Sequence, residues 1–180
     1  MKSMPLKKSI FRLLSHILFN PDGAKKRFLR KHCSKIHDKK ILEIGSGKRV
    51  NGKLKYSVAD YFRRNSNEVV LSDINPSYGH KIVDITKSVP KGFDIIICFN
   101  VLEHVFDFHN GIKNLYKALE SNGVLFILVP AFYPLHDEPQ DYWRYTEHSL
   151  RKLLSAFKKV KIDYYGKREY PFFYFVRAMK

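Results

Sequence analysis

Short apolar runs alternate with longer polar or helical stretches from residue 39 onward. Seven of these runs are predicted to be β-strands, at residues 40–44, 68–72, 81–83, 93–99, 124–129, 160–165 and 171–178. Helices are predicted between them over residues 54–62, 108–119 and 146–157, the last with Thr146 as its N-cap. The first, fourth and fifth strands are nearly continuous apolar runs, which is typical of strands covered on both faces. The alternation indicates βαβ units and therefore an α/β fold.

The first 38 residues have a different pattern, which predicts a basic helical arm ahead of a domain that spans residues 39–180. Helical spacing of apolar residues predicts a first helix that contains Ile10, Leu13, Leu14, Ile17 and Leu18. An Asn-Pro-Asp-Gly sequence at residues 20–23 is predicted to stop this helix, and residues 25–31 to form a second one. Two interpretations stay open. The helices pack on the domain, or they form an amphipathic arm that lies on an anionic membrane or gathers an anionic substrate.

Charge is strongly positive and unevenly distributed. The 180 residues include 33 Lys and Arg against 17 Asp and Glu, a formal net charge of +16. Residues 1–40 contain 12 of these basic residues and only two of the acidic ones. Such a charge favours anionic partners but does not bear on the fold.

Cysteine content and hydropathy argue against a disulfide-rich protein, a zinc protein and a membrane-spanning protein. Cys33 and Cys98 are too few for a disulfide framework or a four-ligand zinc site. No set of Cys and His residues has metal-ligand spacing, so no metal is expected. No apolar run reaches the ~18 residues of a membrane-spanning helix. We therefore expect a cytoplasmic protein, with any membrane contact being peripheral, at the inner membrane face.

A glycine-rich turn follows the first predicted strand. Open α/β sheets bind ligands beyond the carboxyl ends of their strands, so residues at these positions are candidates for a site. Gly45 and Gly47 allow the backbone to turn sharply and to approach a ligand closely. Val50 stands where a dinucleotide-binding turn has its third glycine, which disfavours NAD or FAD. The sequence also contains no GxxxxGK[ST] motif, which disfavours ATP or GTP.

Acidic residues follow the second and third predicted strands. Asp73 lies 26 positions after Gly47 and suits a pair of ribose hydroxyls, because a carboxylate accepts two hydrogen bonds. Asp84 and Ile85 suit the amino edge and the face of an adenine. Taken singly, each acidic residue is equally explained as a helix cap or a turn residue.

The ordered segments resemble the motifs of class I S-adenosylmethionine-dependent methyltransferases, in particular a type 11-like branch of small bacterial enzymes. The resemblance covers about residues 39–165 and is carried by residues 41–47, 71–73, 83–85, 93–104 and 123–127. Its most specific part is FDIIICFNVLEHV, supported by the ExGxG turn. The resemblance implies a Rossmann-like three-layer sandwich with a seven-stranded, mostly parallel sheet whose last strand is antiparallel.

The resemblance also implies a cofactor, S-adenosylmethionine, and residues that bind it. The implied cofactor-binding residues are Glu43, Gly45, Gly47, Asp73, Asp84, Ile85, Asn100, Val101 and Leu102. His104 follows the fourth strand and is the candidate general base, because an imidazole can take a proton near neutral pH. The alternative is a histidine that shapes the pocket or binds Glu103 or backbone.

The loop after the fifth strand, residues 130–146, is rich in aromatic side chains. It is similar to the substrate-side PxDYxRYT loop of the same branch, which includes enzymes associated with surface-glycan assembly. Candidate substrate residues in this loop are His136, Asp141, Tyr142 and Arg144. Arg144 can clamp a carboxylate or phosphate in a bidentate manner. The alternative is a structural lid in which Arg144 pairs with Asp141.

We therefore expect a methyltransferase that methylates a hydroxyl of a small-molecule, glycan or lipid-linked acceptor, which the basic arm suggests is anionic. One alternative is an RNA methyltransferase, because phosphate contacts need Lys and Arg. Nucleic acid is therefore not excluded as a partner. The other alternative is a non-catalytic protein that binds S-adenosylmethionine.

Overall fold

The computed structural model of the chain describes residues 21–54 and 56–180. The chain divides into two compact units, with the boundary between Lys35 and Ile36. The described part of the first unit contains helix α1, Pro21–Cys33. Residues 21–23 form the first turn of α1, where a proline is compatible with helical geometry. The helix predicted around residues 10–18 lies outside the described residues.

The second unit consists of strands joined by short helices. Its strands are β1 Lys40–Ile44, β2 Arg49–Val50, β3 Lys53–Leu54, β4 Glu68–Asp73, β5 Lys81–Ile82, β6 Phe93–Phe99, β7 Leu119–Pro130, β8 Lys159–Lys167 and β9 Tyr170–Met179. Its helices are α2 Ala59–Arg63, α3 Phe108–Ala118 and α4 Glu147–Leu153, with 3₁₀ turns at Pro76–Tyr78 and Leu102–His104.

Seven strands form one sheet in the order β5-β4-β1-β6-β7-β9-β8, while β2 and β3 form a separate hairpin. The pairs from β5 to β7 are parallel, with Ile44 of β1 opposite both Ser72 and Cys98. The last strand, β9, lies between β7 and β8 and is antiparallel to both. The sheet flanked by helices confirms the predicted Rossmann-like fold.

The core lies on the central strands because both of their faces are covered. All residues of β1 after Lys40 are buried, and β6 is buried from Ile95 to Cys98. Helix α3 buries residues three or four positions apart, which places them on one face. The buried positions of α3 are Gly111, Ile112, Leu115 and Ala118. This burial explains the nearly continuous apolar runs of the sequence.

The predicted elements differ from the structure mainly at their ends. The helix predicted over residues 54–62 is shortened to α2, because the β2–β3 hairpin, with Asn51 and Gly52 at positive φ, occupies its start. The strand predicted over residues 124–129 is longer in the structure, because β7 already begins at Leu119 and pairs there with Phe93. Thr146 caps α4 as predicted, through a capping box with Ser149.

Candidate functional site

A cavity of about 700 Å³ lies at the carboxyl ends of β1, β4 and β6. Residues from the ends of β1, β4, β5 and β6 and from the loop between β7 and α4 line it. The lining consists of Ile44, Gly45, Asp73, Ile74, Asn75, Tyr78, Val83, Asp84, Ile85, Thr86, Asn100, Val101, His104, Val105, Phe106, Asp107, Asp137, Gln140 and Tyr142. This volume falls within the range of small-molecule sites, and the position is the one at which open α/β sheets bind ligands.

The turn after β1 depends on glycine. Gly45 has φ +70°, and a Cβ at this position would lie 2.5 Å from Cγ2 of Val101. Gly47 has φ +68° and donates its N–H to Oδ2 of Asp73, at 2.9 Å. The turn is therefore packed against the end of β6 and bonded to the end of β4.

The Glu43 carboxylate is buried beneath this turn and holds it in place. One oxygen accepts hydrogen bonds from the hydroxyls of Ser46 and Ser57, and the other accepts one from the N–H of Val58, at 2.7 Å. Glu43 does not line the cavity. It acts on the site by joining the turn after β1 to the segment that leads into α2.

Asp73 and Asp84 bring two carboxylates to the cavity. The two oxygens of Asp73 accept N–H groups of Gly47 and Asn75, one bond each, so both retain capacity to accept further hydrogen bonds. Oδ1 of Asp84 accepts two hydrogen bonds from Thr86. These bonds, with a smaller contribution from Lys87, lower the pKa of Asp84 below its usual value, so it is ionised at neutral pH.

The chain turns sharply after β6. Asn100 has φ +52°, a left-handed conformation that asparagine tolerates better than most residues. Asn100 and Val101 line the cavity, whereas Leu102 is fully buried in the core. The carbonyl of Leu102 accepts a hydrogen bond from the hydroxyl of Tyr145, at 3.0 Å. This bond ties the loop after β7 to the end of β6.

His104 ends the 3₁₀ turn after β6 and lines the cavity. Its Nδ1 lies 2.7 Å from the carbonyl oxygen of Gln140. Because a carbonyl can only accept, Nδ1 carries the hydrogen, and Nε2 of the neutral ring keeps a lone pair. The ring of His136 packs edge-on against that of His104, with centroids 5.0 Å apart.

Arg144 and Asp141 form a clasp inside the loop. Asp141, whose side chain is 1% exposed, accepts two bonds from the guanidinium at 2.6 and 2.7 Å. The remaining three N–H groups of Arg144 bond to the carbonyls of Tyr133, Pro134 and Trp143. All five donors of the guanidinium are thus engaged. Burial would raise the pKa of Asp141, but the bonds from Arg144 and the backbone of His136 lower it to about 2.

Glu103 is fully buried between the 3₁₀ turn and the loop after β7. Its carbonyl accepts the N–H groups of Tyr142 and Trp143, but neither oxygen of its carboxyl group has a hydrogen-bond partner in residues 21–54 and 56–180. Burial raises the pKa of Glu103 to about 8, so the carboxyl group is largely protonated at neutral pH. Burial also lowers the pKa of His136, which lies beside it.

Among the described residues, the cavity lining is acidic although the chain is basic. Four aspartates line it, and none of the lining residues is Lys or Arg. The four are Asp73, Asp84, Asp107 and Asp137. A cavity of this charge favours a cationic ligand over an anionic one.

The structure brings together most of the residues predicted for the site. Those that line the cavity are Gly45, Asp73, Asp84, Ile85, Asn100, Val101, His104 and Tyr142. Those outside the lining are Glu43, Gly47, Leu102, His136, Asp141 and Arg144. Of the two alternatives for Arg144, a clamp for a substrate anion and a pair with Asp141, the structure has the pair, and all donors of Arg144 are engaged within the loop. Tyr78, Phe106 and Gln140 also line the cavity, but no sequence motif marks them.

A cavity at the carboxyl ends of a sheet with this strand order defines the class of the fold, which is that of Rossmann-like methyltransferases. Three solved structures illustrate the similarity. An S-adenosylmethionine-dependent methyltransferase from Archaeoglobus fulgidus is 15% identical, with a TM-score of 0.68 over 94% of this chain and 99% of its own. The CurJ carbon methyltransferase is 15% identical, with a TM-score of 0.63 over 97% of this chain and 59% of its own.

The third structure is the 1,6-didemethyltoxoflavin-N1-methyltransferase of Burkholderia thailandensis, solved with 1,6-didemethyltoxoflavin and S-adenosylhomocysteine. It is 18% identical, with a TM-score of 0.61 over 100% of this chain and 92% of its own. A search of curated protein sequences finds no significant match. A methyltransferase domain family model matches residues 12–161. The chain therefore belongs to the methyltransferase domain family.

Substitution of Gly45 by alanine is predicted to weaken cofactor binding. The new Cβ would meet Val101, and the left-handed backbone adds a strain of about 1–2 kcal/mol, so the turn must move. We expect the affinity for S-adenosylhomocysteine, measured by calorimetry, to fall at least about tenfold. Gly52→Ala is the control, because Gly52 has φ +76° but open space around its Cβ position. Equal affinities of the Gly45 and Gly52 variants would contradict the prediction.

Substitution of Arg144 by methionine is predicted to destabilise the domain. It leaves the Asp141 carboxylate buried without its charged partner, which costs at least about 2 kcal/mol in the free energy of unfolding. A fall in Tm of roughly 4–8 °C is the expected result in calorimetric melting. Arg168→Met removes an exposed ion pair with Glu147 and should change Tm little. A Tm of the Arg144 variant as high as that of the Arg168 variant would show that the clasp does not stabilise the loop.

Proposed function

We propose that this methyltransferase binds S-adenosylmethionine in the acidic cavity and methylates a hydroxyl group of a small-molecule or glycan acceptor. The observation that carries the proposal is the charge of the lining. Four aspartates and no described Lys or Arg surround the cavity, in a chain with a net charge of +16. The cofactor is a cationic sulfonium, so the lining matches it in sign.

The residues present fit the cofactor. Asp73 is nearly buried and has acceptor capacity left on both oxygens, as a pair of ribose hydroxyls requires. Ile85 offers an apolar face beside the Asp84 carboxylate, which suits an adenine ring and its amino group. Gly45 and Val101 line the remaining part, where we place the methionine portion and the sulfonium.

The acceptor is proposed to enter beside Phe106 and Tyr142. Their rings line the cavity, are 70% and 43% exposed, and contact each other edge-on with centroids 5.4 Å apart. Large exposed aromatic side chains next to a cavity favour a ligand with a planar or apolar face. The acidic lining favours a neutral or cationic acceptor over the anionic one that the net charge suggested.

His104 is proposed to activate the acceptor hydroxyl. When bound, S-adenosylmethionine supplies an already activated methyl group, so the chain must align the acceptor and exclude water. A hydroxyl must in addition lose its proton. His104 lines the cavity, and its bond to Gln140 through Nδ1 leaves the lone pair of Nε2 for this role.

The two alternative functions receive less support. An RNA methyltransferase needs Lys and Arg near the phosphates of its substrate, whereas the described lining carries only acidic charge. A non-catalytic role is opposed by membership of the methyltransferase domain family.

Substitution of Asp73 by alanine is predicted to weaken binding of S-adenosylhomocysteine at least about tenfold, or ~1.4 kcal/mol. The variant loses the proposed acceptor of the ribose hydroxyls, and isothermal titration calorimetry would measure the loss. Asp60→Ala, at an exposed position of α2, is the control and should bind like the unchanged protein. Absence of both heat and a thermal shift with the unchanged protein would refute the proposed cofactor site.

Peripheral membrane contact through the N-terminal region is a separate proposal. Helix α1 buries Ala24, Phe28, Leu29 and Cys33 and exposes Lys26, Arg27, Arg30 and Lys31. Because the apolar side chains of α1 are already buried, contact through this helix would be electrostatic. No described helix is both long and apolar enough to cross a membrane.

The variant with Lys26→Glu and Arg30→Glu is predicted to bind phosphatidylserine vesicles at least about tenfold more weakly, because each basic residue near such a surface contributes about 1 kcal/mol. A vesicle pelleting assay at low salt measures the difference. Arg151→Glu with Lys152→Glu, on α4, changes the net charge equally and is the control. Equal pelleting of both double variants would assign any binding to net charge rather than to α1.

A further inference from the structure

Three side chains with metal-ligating atoms meet at the edge of the cofactor cavity. Glu103 and His104 come from the 3₁₀ turn after β6, and His136 comes from the loop after β7. One donor atom from each lies within 4.8 Å of the other two. The sequence predicts no metal, because His136 is distant in the chain from Glu103 and His104 and no metal-ligand spacing motif links them.

The Glu103 carboxyl group needs a partner that none of the described residues provides. The residue is fully buried, and both carboxyl oxygens lack a hydrogen bond within the described part of the chain. The nearest basic atom, Nε2 of His136, lies 4.0 Å from Oε1, beyond hydrogen-bond distance. Buried carboxyl groups are normally paired, hydrogen-bonded or coordinated to a metal ion, so this one is expected to have a further ligand.

Both histidines are held in the orientation that metal ligands adopt. Nδ1 of His104 donates to the carbonyl of Gln140, at 2.7 Å. Nδ1 of His136 is hydrogen-bonded to the carbonyl oxygen of Pro134, at 3.3 Å, and lies 3.2 Å from Oδ2 of Asp141; both oxygens can only accept from it. Histidine ligands typically donate their second ring N–H to a carboxylate or backbone carbonyl in this way. The Nε2 atoms of both rings are consequently left as acceptors.

We propose that Glu103, His104 and His136 bind a divalent transition-metal ion at the wall of the cavity. Two imidazoles and one carboxylate are a donor set that suits zinc and neighbouring metals and leaves coordination positions open. The three donor atoms lie within 4.8 Å of one another, which is close to twice a metal–ligand bond of about 2.1 Å, so small side-chain shifts bring all three to one ion.

The metal site would allow His104 to activate the acceptor hydroxyl through the bound ion. This role rests on the proposed function, methylation of a hydroxyl group. In the metal-free protein, the lone pair of His104 Nε2 remains available for the base proposed above. With the ion bound, an acceptor hydroxyl at an open coordination position would have a lowered pKa, and His104 would act through the ion. The hydroxyl proton then leaves to solvent, the O–C bond forms as the S–C bond breaks, and the sulfur departs as a neutral thioether. Proton, charge and electron pairs are balanced without a further reactant.

Cobalt titration of the metal-free, tag-free full chain tests the site. The unchanged protein is expected to bind one Co²⁺ with visible d–d absorption, which Zn²⁺ abolishes. Glu103→Gln and His136→Asn should each weaken Co²⁺ binding at least about tenfold. Loss of a residue that only hydrogen-bonds to a metal ligand already weakens metal binding by about that factor, and these two are proposed as ligands themselves. His109→Asn, at an exposed position on α3, is the control and should bind cobalt normally.

Two measurements on the same samples test the metal site and the proposed function independently of each other. Calorimetry with S-adenosylhomocysteine on the same samples reports whether the variants retain the folded cavity. Normal cofactor binding without cobalt absorption in the unchanged protein would overturn the metal site alone. Cobalt absorption that persists in both Glu103→Gln and His136→Asn, or is lost in His109→Asn, would also overturn it. Cobalt binding without cofactor binding would instead refute the proposed function and leave the metal site standing.

Discussion

Parallel pairing of β1 with β4 and β6 is the constraint on which the site depends. The pairing places the carboxyl ends of three strands at one edge of the sheet, so the residues that follow them meet although they are far apart in sequence. The N–H of Gly47 donates to Asp73 across two of these ends. A register shift of one strand would separate these groups and move buried side chains to the wrong face.

The chain as a whole is basic, but the lining of its cavity is acidic. The chain therefore has one feature that suits an anionic surface and another that suits a cationic ligand. The exposed basic residues of α1 suit an anionic surface, while the aspartates around the cavity suit a cationic cofactor. Net charge alone therefore misleads about the ligand, because it averages over the whole surface.

The loop between β7 and α4 combines a rigid clasp with groups that lack partners. Arg144 is satisfied at all five donors, which anchors the loop and carries Tyr142 to the cavity. Within the described residues, the carboxyl group of Glu103 beneath the loop is buried without a hydrogen bond. A buried polar group without a partner needs a physical explanation, and the proposed metal ion provides one.

Local patterns in the sequence predicted the seven strands of the main sheet, because strands buried on two faces need nearly continuous apolar runs. They also predicted the glycine turn and the positions of Asp73 and His104 at strand ends, because sharp turns restrict which residue types can occur there. The tertiary structure alone decided that Glu43 supports the turn from below, that Arg144 is committed to Asp141, and that Glu103 meets His136. These contacts join segments distant in the chain, and a side chain's hydrogen bonds depend on which neighbours the fold brings to it rather than on residue type.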